Sequence, residues 1–118
     1  MTKYGSHKVT YQGHSFASKL EAAVYQILML RMRAKEIDSI QCQDHVYLTL
    51  ARISYIADFR CVDSKGDTFW VEAKGFPTPE WAIKKKLWKF YGEGRLELWT
   101  GSHRSPKLTE EIIPRESA

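Results

Sequence analysis

Three charged side chains stand in stretches that otherwise read as buried strand: Asp58 in Tyr55-Ile56-Ala57-Asp58-Phe59, and Glu72 and Lys74 in Phe69-Trp70-Val71-Glu72-Ala73-Lys74. Charges in such surroundings are costly unless paired or bound to a metal. Residues i and i+2 of a strand share a face, so Glu72 and Lys74 stand side by side, and a neighbouring strand can bring Asp58 up to them. The two carboxylates and the carbonyl of Ala73 would offer three oxygen ligands to Mg²⁺, with water completing a near-octahedral shell. Lys74 would sit where it can position an attacking water or stabilise charge on a phosphate. Metal-assisted phosphodiester hydrolysis needs such a set. Each part also has an ordinary reading. Asp58 alone is a polar-face strand residue beside Ser54 and Arg60, and Glu72 with Lys74 alone is a surface ion pair worth little. Their occurrence together, on a strand that ends at Gly75, carries the expectation.

The elements that must position these groups can be read from periodicity. His7 to Phe16 forms two short extended pieces about a turn at Gln12-Gly13. Ser18-Lys19-Leu20-Glu21 has the spacing of a capping box, which is also the ordinary explanation of Glu21. The helix that follows carries Leu20, Ala23, Val24, Ile27, Leu28 and Met32 as one apolar stripe and ends around Ala34 to Glu36. Two strands come next, Ile40 to Leu50 and Ile53 to Val62, joined at Ala51-Arg52. A two-residue loop pairs Leu50 with Ile53, sets Cys42 opposite Cys61 and His45 opposite Asp58, and keeps both apolar faces on one side. Ala51-Arg52 is poor chemistry for so tight a turn, which leaves a slip open. Ser64-Lys65-Gly66-Asp67 turns into a third strand, Thr68 to Lys74. Thr78 and Pro79 start a second helix that runs to Tyr91 with Ile83, Leu87 and Phe90 as its apolar stripe and stops at Gly92. A fourth strand spans Arg95 to Thr100. The expectation is one α/β domain on a mixed sheet: an N-terminal arm (1–17), a core (18–100) and a weakly determined tail (101–118).

Composition sets wider bounds. With 118 residues, 43% apolar and 27% charged, the chain is an ordinary single globular domain and not a disordered one. No apolar run reaches the length of a membrane span. The first eight residues lack the apolar middle of a secretory signal, which leads to the expectation of a cytoplasmic protein without a membrane partner. Cys42 and Cys61, in no CxxC spacing, read as small apolar strand residues and argue against zinc. The net charge of +4 mildly favours an anionic partner. Its distribution is more informative. Lys84, Lys85, Lys86 and Lys89 interleave with Trp81 and Trp88 on the second helix, directly after the proposed site, and His7, Lys8, His14 and Lys19 cluster near the N-terminus. A lysine run is usually a solvated face and such indoles are usually core, but Lys84 or Lys85 there could reach phosphates beside the scissile one. His45 reads as a sheet-surface histidine first and a ligand neighbour second.

Glu21, Ala57-Asp58 and Glu72-Ala73-Lys74, in the order helix, three strands, helix, strand, resemble the PD-(D/E)XK nuclease superfamily. Phe16-Ala17-Ser18-Lys19-Leu20-Glu21, Gln43, Tyr55-Ile56-Ala57-Asp58-Phe59, Val71-Glu72-Ala73-Lys74-Gly75 and the lysine-rich helix look more closely like small phage and prophage nucleases similar to bacteriophage endonuclease I type Holliday-junction resolvases. The likeness covers residues 8 to 98. It implies a restriction-endonuclease-like αβββαβ core with a mixed central sheet flanked by helices. It further implies that Asp58 and Glu72 hold Mg²⁺ or Mn²⁺, that Lys74 is the catalytic lysine, and that Glu21 completes the acidic cluster. Gln43 matches a position near the site. Ala57 stands where the superfamily's name has proline, a residue that supplies geometry rather than chemistry. A homodimer is implied as well, because symmetric cutting of two strands needs two sites about a two-fold axis.

The expected activity is therefore a Mg²⁺-dependent endonuclease acting on branched or junction DNA, with Lys84, Lys85, Lys8, Lys19 and Gln43 along the bound strand. Two rivals share the fold: a nicking, flap or restriction-type nuclease, and a non-catalytic DNA-binding module. A third, a small interaction protein with ordinary surface ion pairs, would bind neither metal nor DNA.

Overall fold

A computed structural model of the chain describes residues 8–49 and 53–115. His7, the Leu50–Ile53 pairing and the Ala51-Arg52 turn involve residues outside that set. The N-terminal arm is a hairpin, β1 (Val9–Tyr11) and β2 (His14–Phe16), turned by Gln12 and Gly13 at φ 50° and 81°. Both turn residues have positive φ, the geometry that matches strand twist in a two-residue hairpin. Helix α1 (Lys19–Arg33) follows, then β3 (Ile37–Tyr47), β4 (Ser54–Asp63), β5 (Thr68–Ala73), α2 (Pro79–Tyr91), β6 (Leu96–Ser102) and β7 (Ser105–Ile112). The five long strands make one mixed sheet in the order β3-β4-β5-β6-β7, antiparallel except for the parallel pair β5–β6 that α2 connects. This is an α/β fold whose α1 to β6 order is compatible with the restriction-endonuclease-like core.

The sheet carries a separate core on each face. Against α1 lie Phe59, Cys61, Phe69 and Val71 with Leu20, Val24, Tyr25 and Leu28; against α2 lie Tyr55, Ala57, Trp70, Leu96 and Leu98 with Trp81 and Trp88. Alternation along β5 explains the division, since Phe69 and Val71 point one way and Trp70 the other.

Several expectations need correction. The tail is not weakly determined: β7 pairs with β6 from Leu96↔Ile112 to Ser102↔Ser105 and buries Ile112 at the sheet edge. The β3–β4 register differs by two residues, with Cys42 opposite Phe59 and His45 opposite Ile56. A two-residue slip preserves facing, so the apolar pattern could not detect it. On α1, Glu21, Ala22 and Tyr25 are buried where Ala23 and Ile27 were expected. The stripe of α2 is also different: Trp81 and Trp88 are buried, Leu87 flanks them, and Ile83 and Phe90 are exposed. Two indoles remove more apolar area from water than an Ile and a Phe. The Trp88 Nε1–H donates to the Gly94 carbonyl at 2.8 Å, so its polar atom is satisfied inside. The helix ends at Gly92, where only glycine fits, since a Cβ there would lie 2.6 Å from the Trp88 ring.

On the α1 face, Glu97 of β6 is buried and accepts from Arg31 at 3.1 Å, Trp99 at 3.1 Å and Arg95 at 3.4 Å. Both guanidiniums also lie over the Phe69 ring. Glu97→Ala should destabilise the chain by roughly 2–4 kcal/mol in urea denaturation, since it strands two cations that keep only part of their hydration. Glu97→Gln, which keeps an acceptor, should lose less.

Candidate active site

The site forms where β4 and β5 part. Their ladder runs from Val62↔Thr68 to Phe59↔Val71 and goes no further. Beyond it the Ala73 N–H donates to Asp58 Oδ2 at 2.8 Å, so a side-chain carboxylate takes the place of the missing cross-strand acceptor. The same point is a kink in the β3–β4 hairpin. Cys42 and Phe59 pack on the α1 side, whereas Val46, Tyr55 and Ala57 pack on the α2 side, although all share one alternation phase. The change of side falls at Gln43, whose φ is 58°, and at Asp58, which both lie between the pairs Cys42↔Phe59 and Asp44↔Ala57. A left-handed non-glycine residue inside a strand bends it and re-aims its neighbours. Here the bend places Asp58 in the opening between the strands.

Glu21 arrives from the first turn of α1. Ser18 Oγ accepts from the Glu21 N–H at 3.1 Å, as the capping pattern predicts, and Glu21 Oε2 accepts from the Ala17 N–H at 3.3 Å. The side chain is buried, and its charge bears on Asp58. Glu72, also buried, comes from β5. Its Oε1 accepts from the Tyr55 hydroxyl and its Oε2 lies 3.6 Å from Lys74 Nζ. Lys74 is fixed in turn by its N–H to the Trp99 carbonyl at 2.9 Å and by the Trp81 ring, 5.8 Å from its ammonium.

The electrostatics of this group are those of a place short of positive charge. Burial pushes the Asp58 carboxyl well above its usual range, and the charges of Glu72 and Glu21 push it further. Burial also raises Glu72, opposed by the Tyr55 hydrogen bond and Lys74. Three carboxylates share one ammonium. Their oxygens suit a hard divalent cation, which would relieve the repulsion. Among the described residues, no three carboxylate, imidazole or thiol groups close on one point at ligating distance.

Asp58, Glu72 and Lys74 line a cleft of about 490 Å³ whose far wall is the start of α2, with Thr78, Glu80, Trp81 and Lys84. Lys84 reaches this cleft and donates to the Ser54 carbonyl. Lys85 does not: its ammonium turns to β7 and pairs with Glu110 at 2.6 Å. Lys8 and Lys19 are exposed near the N-terminal hairpin and the start of α1. Tyr55, Trp81 and Glu80 were not among the site residues expected from the sequence. Tyr55 read as a generic strand aromatic, and only the side switch at Asp58 turns it toward Glu72. Tyr55→Phe keeps the ring and removes the donor to a buried carboxylate; a loss of roughly 1.5–3 kcal/mol in urea denaturation is expected.

A family model described as a protein of unknown function, DUF1064, matches residues 1–110. The chain belongs to the DUF1064 family. No curated protein and no solved structure matches it. No helix among the described residues of this DUF1064 protein is long and apolar enough to cross a membrane.

Proposed function

We propose that this DUF1064 protein is a divalent-metal-dependent endonuclease that hydrolyses DNA phosphodiester bonds, with branched or four-way-junction DNA as its substrate. One observation supports the reading: Asp58, Glu72 and Lys74, from two diverging strands, line one cleft, and the charge of buried Glu21, from the first turn of α1, bears on Asp58. Buried acidic groups held against their own repulsion are retained at a cost to stability, which a purely structural role does not explain.

In this reading Asp58 and Glu72, with the Ala73 carbonyl, hold Mg²⁺ or Mn²⁺, and Glu21 braces Asp58 or engages a second ion. The bound ion supplies Lewis-acid polarisation of the scissile phosphate and a lowered water pKa. Lys74, held between Glu72 and the Trp81 face, orients the nucleophile and offsets charge on the phosphate. Tyr55 keeps one oxygen of Glu72 pointed at a fixed place. Lys84 meets the phosphate next to the scissile one, and Lys8, Lys19 and Gln43 follow the strand on the α1 side. The enzyme works in the cytoplasm, that of the host if it is phage-encoded, and as a homodimer. A panel of four-way junction, flap, nicked and linear duplex DNA, each with Mg²⁺ and with EDTA, tests the substrate. Metal-dependent cutting led by the junction is expected; equal cutting of all four would keep the nuclease and discard the junction.

A further inference from the structure

Helix α2 is apolar on two sides. Trp81 and Trp88 turn to the core, while Ile83 and Phe90, 61% and 55% exposed, turn to solvent with the half-buried Leu87 between them. Spacings of four and then three residues set these three on one stripe about two turns long. Tyr91 extends it, also exposed, with its ring 6.4 Å from that of Phe90. Positive charge borders the stripe. Lys86 and Lys89 stand exposed beside it, and among the described residues neither pairs with a carboxylate, whereas Lys85 on the inner side is held by Glu110. Arg115 closes the far end: its N–H donates to the Lys89 carbonyl at 2.7 Å and its guanidinium covers the Phe90 ring at 4.7 Å.

We infer that this outer face of α2 is a docking surface for an acidic, apolar segment of a partner protein, of the kind an amphipathic helix bordered by carboxylates presents. The surface lies apart from the cleft. Lys84 faces the cleft, and at about 100° per residue Lys86 and Lys89 lie roughly 200° and 140° further round the helix. DNA in the cleft does not meet them, so the inference stands independently of the nuclease reading. The apolar centre also selects the occupant. Phosphates would leave Ile83 and Phe90 in water, whereas apolar side chains of a docked helix bury them and carboxylates on its edge meet the lysines. A second copy of the chain fits less well, since pairing α2 with itself brings lysines against lysines. An anionic membrane fits less well too, because Glu80 and Glu93, exposed at the start of α2 and just past its end, would stand against lipid phosphates.

The test uses a labelled synthetic peptide with leucine and phenylalanine at helical spacing and glutamate on the flanks. Its controls are a scrambled peptide of the same composition and a counterpart with lysine for glutamate. Binding to the full chain is followed by fluorescence anisotropy and mapped by backbone amide shifts. The acidic amphipathic peptide should bind, shift the α2 amides and weaken as salt is raised, while the lysine counterpart does not bind. Ile83→Ser/Phe90→Ser and Lys86→Glu/Lys89→Glu, all at exposed positions, should each lose about tenfold in affinity or more at unchanged melting temperature, the scale of a hot-spot residue. No binding of the acidic peptide, equal binding of its scrambled form, or binding that both double variants keep would overturn the docking surface. Three other outcomes would reassign the face and overturn the inference as well. Binding of anionic vesicles that both double variants lose would give it to a membrane, DNA affinity lost in Lys86→Glu/Lys89→Glu would give it to DNA, and a wild-type dimer made monomeric by Ile83→Ser/Phe90→Ser would give it to a second copy.

Discussion

Asp58→Asn should lower DNA cleavage by on the order of 10³-fold or more, the usual scale for loss of a group at the reacting centre, while the metal-free chain melts no lower than the wild type. The two halves of this result have one cause. An amide oxygen can still accept from the Ala73 N–H, so the strand divergence keeps its bond. The substitution also removes one negative charge from a buried cluster in which Glu72 and Glu21 already push the Asp58 proton affinity up. The sign in pH follows. With a folded pKa above the unfolded 3.8, the native state binds the proton more tightly, so this group favours folding at low pH and its contribution is lost as pH rises through that window. In EDTA the wild type should therefore gain stability relative to Asp58→Asn on mild acidification, measured as the difference between their urea midpoints. A variant that cleaves at the wild-type rate would remove Asp58 from the mechanism.

Trp88→Ala should cost about 3–5 kcal/mol, the range for emptying a buried aromatic site. Trp88 is fully enclosed, meets the Trp70 ring at 5.2 Å and the Tyr55 ring at 5.9 Å, both edge-on, and donates to Gly94. The surrounding walls are a sheet and a helix, and neither collapses easily into the space left behind. Because Tyr55 leans on Trp88 and holds Glu72, residual folded protein should also cleave more slowly than its folded fraction accounts for. Trp88→Phe, which fills most of the volume and loses the indole bond, should fall between. A melting temperature within a degree of the wild type for Trp88→Ala would show that α2 is not held by this residue.

Much of this arrangement is legible in the chain because its signals are local. Ser18 and Glu21 announce the start of α1, Thr78 and Pro79 that of α2, and Ser64 to Asp67 the β4–β5 turn, each through hydrogen bonds within a few residues. Glu72 and Lys74 declare themselves by standing charged in an apolar strand. What escaped depends on tertiary context. The β3–β4 register slipped by two because alternation has period two. The side switch at Gln43 and Asp58 has no compositional mark, so Tyr55 went unnoticed as the partner of Glu72. Ile83 and Phe90 fit a helical stripe as well as Trp81 and Trp88 do, and only the size of the indoles decides which face turns inward. The strand β7, with Pro106 and the charged Lys107, Glu110 and Glu111, lies at a sheet edge, where proline and charge are ordinary.

The most direct test of the proposed nuclease activity is cleavage of a labelled four-way junction beside its linear duplex arms, with Mg²⁺ and with EDTA, by the wild type and by Lys74→Ala. The expected result is paired symmetric nicks in the junction, present with Mg²⁺, absent with EDTA, and absent in the folded Lys74→Ala chain. No cutting of either DNA under Mg²⁺ or Mn²⁺, or full cutting by Lys74→Ala, would contradict it.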